Sequence, residues 1–135
     1  FLAKGGGRYR LSDCEIVSSD DYATVLLVSR DGQALRASRS ILVQVGTRAR
    51  PSGWSNRPAT WTDDNGKPVT GHEIVAHGQA PWLVADSHID LRLANPHLSK
   101  AVVLDANGQP LRSMAVDSMG WLKLPRDSLY IQIEA

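Results

Sequence analysis

Tyr22-Ala23-Thr24-Val25-Leu26-Leu27-Val28-Ser29 is a run of apolar and β-branched residues, stopped at once by Arg30-Asp31-Gly32. Branched side chains crowd the preceding turn of a helix but sit well on a pleated strand, so the run reads as β. Asp-Gly directly after a strand signals a type I′ hairpin, whose two central residues both take positive φ. The return strand is then expected over residues 33–37. Next, Ile41, Val43 and Val45 alternate with Leu42 and Gln44, which places the first three on one face and the other two on the opposite one.

The same pattern recurs along the chain. Strands are expected at 73–77, 82–85 and 88–94, the last with Ile89, Leu91 and Leu93 opposed by Asp90 and Arg92. Segments 101–104 and 111–116 flank a second hairpin signal, Asn107-Gly108, and 121–124 and 129–133 follow. Residues 46–69 are rich in Gly, Pro, Asn and Asp, and admit at most a short strand at 59–62. No segment holds a 3.6-residue period, so little or no helix is expected. About ten short strands make this an all-β protein, an antiparallel β-sandwich of jelly-roll or immunoglobulin-like type. Gly5-Gly6-Gly7 reads as a flexible joint, so residues 1–7 are taken as a linker remnant and 8–135 as a single β-sandwich module. That glycine run lacks the Lys-Ser/Thr that completes a phosphate loop. The opening Phe1-Leu2-Ala3-Lys4 and the strand-like close give the chain the look of a segment of a longer protein.

Composition narrows the function classes. The 135 residues carry 15 basic and 14 acidic side chains, a formal net charge of +1. Non-specific nucleic-acid binding needs a basic surface that displaces counterions, so no nucleic acid is expected as a partner. No apolar run reaches the ~20 residues of a spanning helix, so no membrane partner is expected either. The single cysteine, Cys14, excludes an internal disulfide and a multi-cysteine zinc site. Its neighbours supply no cation to activate it, and it reads as a small buried hydrophobe.

Catalytic patterns are missing from the sequence. His72, His77, His88 and His97 form no His-Glu-x-x-His pair, and no Gly-x-Ser-x-Gly occurs. His72 and His77 stand five apart, on opposite faces of a strand, so they cannot share a metal locally. Asp63 and Asp64 fall in Asp-Asp-Asn-Gly, where such side chains serve the turn itself. That turn and Asp20-Asp21 offer oxygens to a structural calcium ion but lack a full ligand series. No cofactor, no metal site and no catalytic residue are expected. A stand-alone hydrolase or oxidase would need a cluster assembled from distant strands.

The aromatic residues carry more. Four Trp accompany three Tyr and one Phe. Trp54 and Trp61 lie in the turn-rich stretch beside Arg48, Arg50, Asn56 and Arg57. Residues 1–57 hold 9 basic and 5 acidic groups, and 58–135 hold 6 and 9, so the basic part coincides with these rings. A flat indole offers its face to the axial C–H groups of a pyranose, while Arg and Asn hydrogen-bond the hydroxyls. Trp121 alternates with Lys123 against Leu122 and Leu124, which puts it on an outward face. The candidate ligand-binding set is Trp54, Trp61, Arg48, Arg50, Asn56, Arg57 and Trp121. Trp82, inside Ala80-Pro81-Trp82-Leu83-Val84, reads as core. The same rings can equally pin a long loop to the fold, or form an interdomain surface, where Trp and Arg are also enriched.

The stretch Ser40-Ile41-Leu42-Val43-Gln44-Val45-Gly46-Thr47-Arg48-Ala49-Arg50-Pro51-Ser52-Gly53-Trp54 resembles the region after the catalytic barrel in large bacterial glycoside hydrolases. Ser19-Asp20-Asp21-Tyr22-Ala23-Thr24-Val25 and Leu124-Pro125-Arg126-Asp127-Ser128-Leu129-Tyr130 fit the same pattern, so the likeness spans about residues 8–134. The resemblance implies a C-terminal accessory β-sandwich of a secreted polysaccharide-degrading enzyme, extracellular or periplasmic. Its partners would be a polysaccharide or oligosaccharide and the catalytic domain of the parent chain. The family's catalytic carboxylates belong to the barrel, and none carries over. The expected function is a non-catalytic carbohydrate-binding module that stacks sugars on Trp. The alternative is a structural sandwich that buttresses the catalytic domain and binds no glycan.

Overall fold

The structure is a computed structural model and describes residues 2–135. Among these residues lie fourteen strands and no helix. They are β1 (Leu2–Lys4), β2 (Gly7–Arg10), β3 (Cys14–Ser18), β4 (Tyr22–Ser29) and β5 (Ser40–Gly46). Then come β6 (Ala49–Ser52), β7 (Ser55–Thr62), β8 (Pro68–Ala76), β9 (Gln79–Val84) and β10 (Ile89–Leu93). Finally come β11 (Lys100–Leu104), β12 (Pro110–Ala115), β13 (Trp121–Lys123) and β14 (Tyr130–Glu134). The protein is all-β, and every pairing is antiparallel. Two compact units divide the chain: one runs to Arg48 and resumes at Asp86, the other is Ala49–Ala85.

The first unit holds a six-stranded sheet, β1-β4-β5-β14-β11-β12, and a four-stranded sheet, β13-β10-β3-β2. Their inward residues share one core, the arrangement of a β-sandwich. Val25, Ile41, Val43, Ile131 and Ile133 come from the larger sheet, and Ile16, Leu91 and Leu122 from the smaller. The alternation read from the sequence sets this: Ile41, Val43 and Val45 are buried while Gln44 is exposed.

The Asp31-Gly32 hairpin differs from its expected form. β5 is indeed the antiparallel return of β4, but residues 33–37 form no strand. Gly32 takes φ +73°, whereas among the described residues none other than glycine has positive φ, so Asp31 cannot occupy a type I′ turn. It organises a longer loop instead: its carboxylate accepts the backbone N–H of Arg39 at 2.7 Å and of Gln33 at 3.2 Å. Buried Asn95 closes that loop, donating through Nδ2 to the carbonyls of Leu35 and Ser38, both at 2.7 Å.

Residues 2–4 pair with β4 and are not a free linker. The glycine run makes a turn between two strands, with Gly5 at φ +84° and its N–H donated to Asp21 O at 2.7 Å. Three other turns share one design, Asp-x-x-Gly-x, at Asp63, Asp105 and Asp117. In each, Oδ1 of the aspartate accepts the N–H groups two and four residues on, at 2.7–2.9 Å. The glycine that follows has positive φ, as a tight turn with one left-handed residue requires. Asp63 is thereby committed to its turn.

The second unit overturns the reading of 46–69 as mostly turn. Residues 49–85 form two ribbons, β6 with β9 and β7 with β8. Each strand carries one proline: Pro51, Pro58, Pro68 and Pro81. Proline is excluded from central strands because it donates no ladder bond, but each strand of a two-stranded ribbon has an unpaired side. The prolines therefore mark edges, and they also blunt those edges against stray pairing.

Candidate functional site

Residues 49–85 form an arm without a core. Among them none is buried, and Trp61, Ile74, Val75, Trp82, Leu83 and Val84 are 45–65% exposed. Trp82, expected in the core, is the most exposed of these: the β6–β9 ribbon has no covering layer to bury it.

The predicted site residues separate into several groups. Trp54 is partly buried, with the Arg50 guanidinium 5.3 Å from its ring centroid and the His77 ring 6.2 Å away at 79°. Its Nε1 is buried without a hydrogen-bond partner, so this indole braces the arm through cation–π and edge contacts. Trp61 is half-exposed and lies over Gly71 on β8. Arg57 is on the same face of β7 as Trp61, four residue pairs along, and its Nε donates to Glu73 Oε2 at 2.8 Å. Asn56 precedes Arg57 on that strand and takes the opposite face. Arg48 belongs to the other unit, 3.5 Å from Asp21. Trp121 is on β13, also in that unit.

The outward face of the four-stranded sheet brings together groups that sequence reading did not connect. Strand register sets Trp121, Arg92, Glu15 and Arg10 in one row, and Lys123, Asp90, Val17 and Arg8 in another. Glu15 is the hub: Arg8 is hydrogen-bonded to it, Arg10 lies 3.4 Å away and Arg92 3.9 Å away. The Arg8 bond, more than any other contact, holds the Glu15 carboxyl below the usual range. Arg8 also stands 5.7 Å over the Trp121 ring. The visible signal was Asp90 and Arg92 alternating with buried residues; their partners on β2, β3 and β13 were not visible.

A cleft of ≈ 260 Å³ opens at the Ser18 end of this face, lined among others by Ser87, His88, Asp90, Lys123 and Arg126. Asp20 orients His88, accepting its backbone N–H at 2.8 Å and facing ring Nδ1 at 2.9 Å. Ser87 is 2% exposed and its hydroxyl has no hydrogen-bond partner, so it is not paired with His88 as a nucleophile with a base. Cys14 is buried, and burial together with Asp13 pushes its thiol pKa up, away from reactivity. Among the described residues no three His, Cys, Asp or Glu side chains gather as metal ligands, and no helix is long and apolar enough to cross a membrane.

Comparison with protein-family models, curated proteins and solved structures finds no match for this chain. The class that fold and site define is an all-β protein of two antiparallel units, one with a shared two-sheet core and one an exposed arm.

Proposed function

We propose that the chain is a non-catalytic accessory β module whose arm, residues 49–85, docks on the catalytic domain of a parent polysaccharide-degrading enzyme. One observation carries this reading: the arm buries none of its residues while exposing two Trp and four branched aliphatic side chains. Two-stranded ribbons are marginal alone, and an apolar surface on this scale marks a protein contact. The aliphatic share separates the two kinds of partner. Ile74, Val75, Leu83 and Val84 present no flat face to a sugar ring, but they fit the apolar centre of a protein interface. The parent enzyme enters through the sequence resemblance alone.

Hydrogen exchange compares the full parent chain with the 135-residue chain by itself. Amides on the outer edges of β7 and β8 should exchange at least ten times more slowly in the parent. Equal, fast exchange in both would overturn the docking reading.

A second reading, glycan binding by the arm, draws on the exposure of Trp61 and Trp82. Here a neutral polysaccharide gel retards the isolated chain. Trp61→Ala or Trp82→Ala then weakens binding by about 1–3 kcal/mol, on the scale of ring stacking on an aromatic. The melting temperature stays put.

A further inference from the structure

We propose that two copies of this chain pair through the outward face of the six-stranded sheet. Register aligns Leu26, Gln44, Tyr130 and Leu104 in one row of that face, and Val28, Leu42, Gln132 and Val102 in the next. Each alternates with an inward residue, such as Val25, Val43, Ile131 or Val103, and so points away from the core. Six of the eight side chains are apolar and none is charged. Leu26 is 52% exposed and Val28 43%; Gln44 is exposed and the other five are partly buried.

The four-stranded sheet supplies the contrast within the same molecule. Its two outward rows hold six charged side chains among eight, as expected of an antiparallel sheet with one solvated face. In β4, β5, β11 and β14 apolar residues run on both faces instead, the pattern of strands covered on both sides.

A second copy fits as the cover because the face is self-complementary. With no charge in either row, two identical faces meet without like-charge repulsion or a desolvated, unpaired charge. The exposed Gln44 amide both donates and accepts, so it can pair with the same group across a two-fold axis. Gln132 donates to Glu134, and that carboxylate stands with Lys100, its partner in register, at the rim with opposite sign. Six strands at ~4.8 Å and five residues at ~3.3 Å give a face of about 29 by 17 Å, roughly 500 Å². Two copies then bury about 1,000 Å² in all, the threshold of a specific interface, and pack as the two sheets of a sandwich do. A polysaccharide fits less well, since five of the six apolar groups are aliphatic and offer no flat ring face.

Sedimentation velocity on the 135-residue chain across a dilution series tests the pairing. The mass should rise with concentration from 14.7 kDa to twice that value and stop there. With no charge pair at its centre, the dimer should persist in tenfold more salt. Leu26→Lys and Gln44→Glu should each weaken it at least tenfold; both residues are exposed, so melting of the diluted chain stays unchanged. A chain that stays monomeric up to millimolar concentration, or a dimer that dissolves in salt, would overturn the proposal. So would a dimer abolished by Leu83→Lys in the arm and retained by Leu26→Lys and Gln44→Glu. Arm protection in the parent chain is read separately, so a monomer leaves the docking reading untouched.

Discussion

The Trp61 indole lies across Gly71: a Cβ at residue 71 would stand 2.6 Å from Cη2 of the ring. The bare backbone of β8 thus serves as the bed for a ring from β7. The obstructed atom is the far end of a half-exposed side chain, so the ring can yield.

Gly71→Ala should therefore displace Trp61 and leave the fold in place. The expected result is a shifted Trp61 indole N–H resonance with a stability change within about 0.5 kcal/mol, as for surface substitutions. An unmoved resonance would contradict the packing. If the arm binds glycan through Trp61, the same variant should also lose affinity.

Asn95 joins the 30–39 loop to the end of β10 across 57 residues of sequence. Asn95→Ala leaves the carbonyls of Leu35 and Ser38 without their donor, for an expected cost of about 2–4 kcal/mol. Urea unfolding measures it. A loss under about 0.5 kcal/mol would mean the loop finds other donors.

Asp31 has its carboxyl held well below the usual range, first by the Arg39 amide and then by the Ser29 hydroxyl. The folded chain thus binds the proton more weakly than the unfolded chain. The stabilisation is complete above the ordinary value of 3.8 and is lost as pH falls through the lower folded value. Asp31→Asn should lower the melting temperature at pH 7, and its gap to the wild type should narrow steadily as pH falls from 4 to 2. Parallel curves across that range would refute the role of the charge.

Gly120 and Gly108 occupy the same position of the repeated turn, at φ +81° and +80°. Alanine at 108 meets open space, so it pays only for the left-handed backbone, about 1 kcal/mol. Alanine at 120 would also place Cβ 2.6 Å from the Leu93 carbonyl oxygen. Thermal melts should rank Gly120→Ala clearly below Gly108→Ala, and equal melts would remove the contact from the account.

Reading the sequence reached the all-β class and the inward faces of β5 and β10, because burial alternates with the pleat of a single strand. It reached parts of β7, β8 and β9 at 59–62, 73–77 and 82–85 but not β6 or their full lengths, because proline and glycine read as turn wherever a strand is assumed to be central. Of the loop set, Arg50 stands over Trp54 whereas Arg48 falls in the other unit, and Trp82, expected in the core, is exposed. Asp-Asp-Asn-Gly at 63–66 and Asn107-Gly108 signal two of the Asp-x-x-Gly-x turns, while the third, at Asp117, ends in Met119-Gly120 and carries no Asn-Gly or Asp-Gly pair.

The sequence by itself determined which residues alternate and where the turns at Asp63 and Asp105 fall. Both follow from the two-residue pleat and from local Asp and Gly chemistry, which act within five residues. Only the tertiary structure decided that Asp20 meets His88 across 68 residues and that Glu15 gathers Arg8, Arg10 and Arg92. It also decided that the strands of 49–85 are all edges. Lateral neighbours in a sheet are chosen by long-range backbone pairing and by the core both sheets share, and no local pattern encodes that choice.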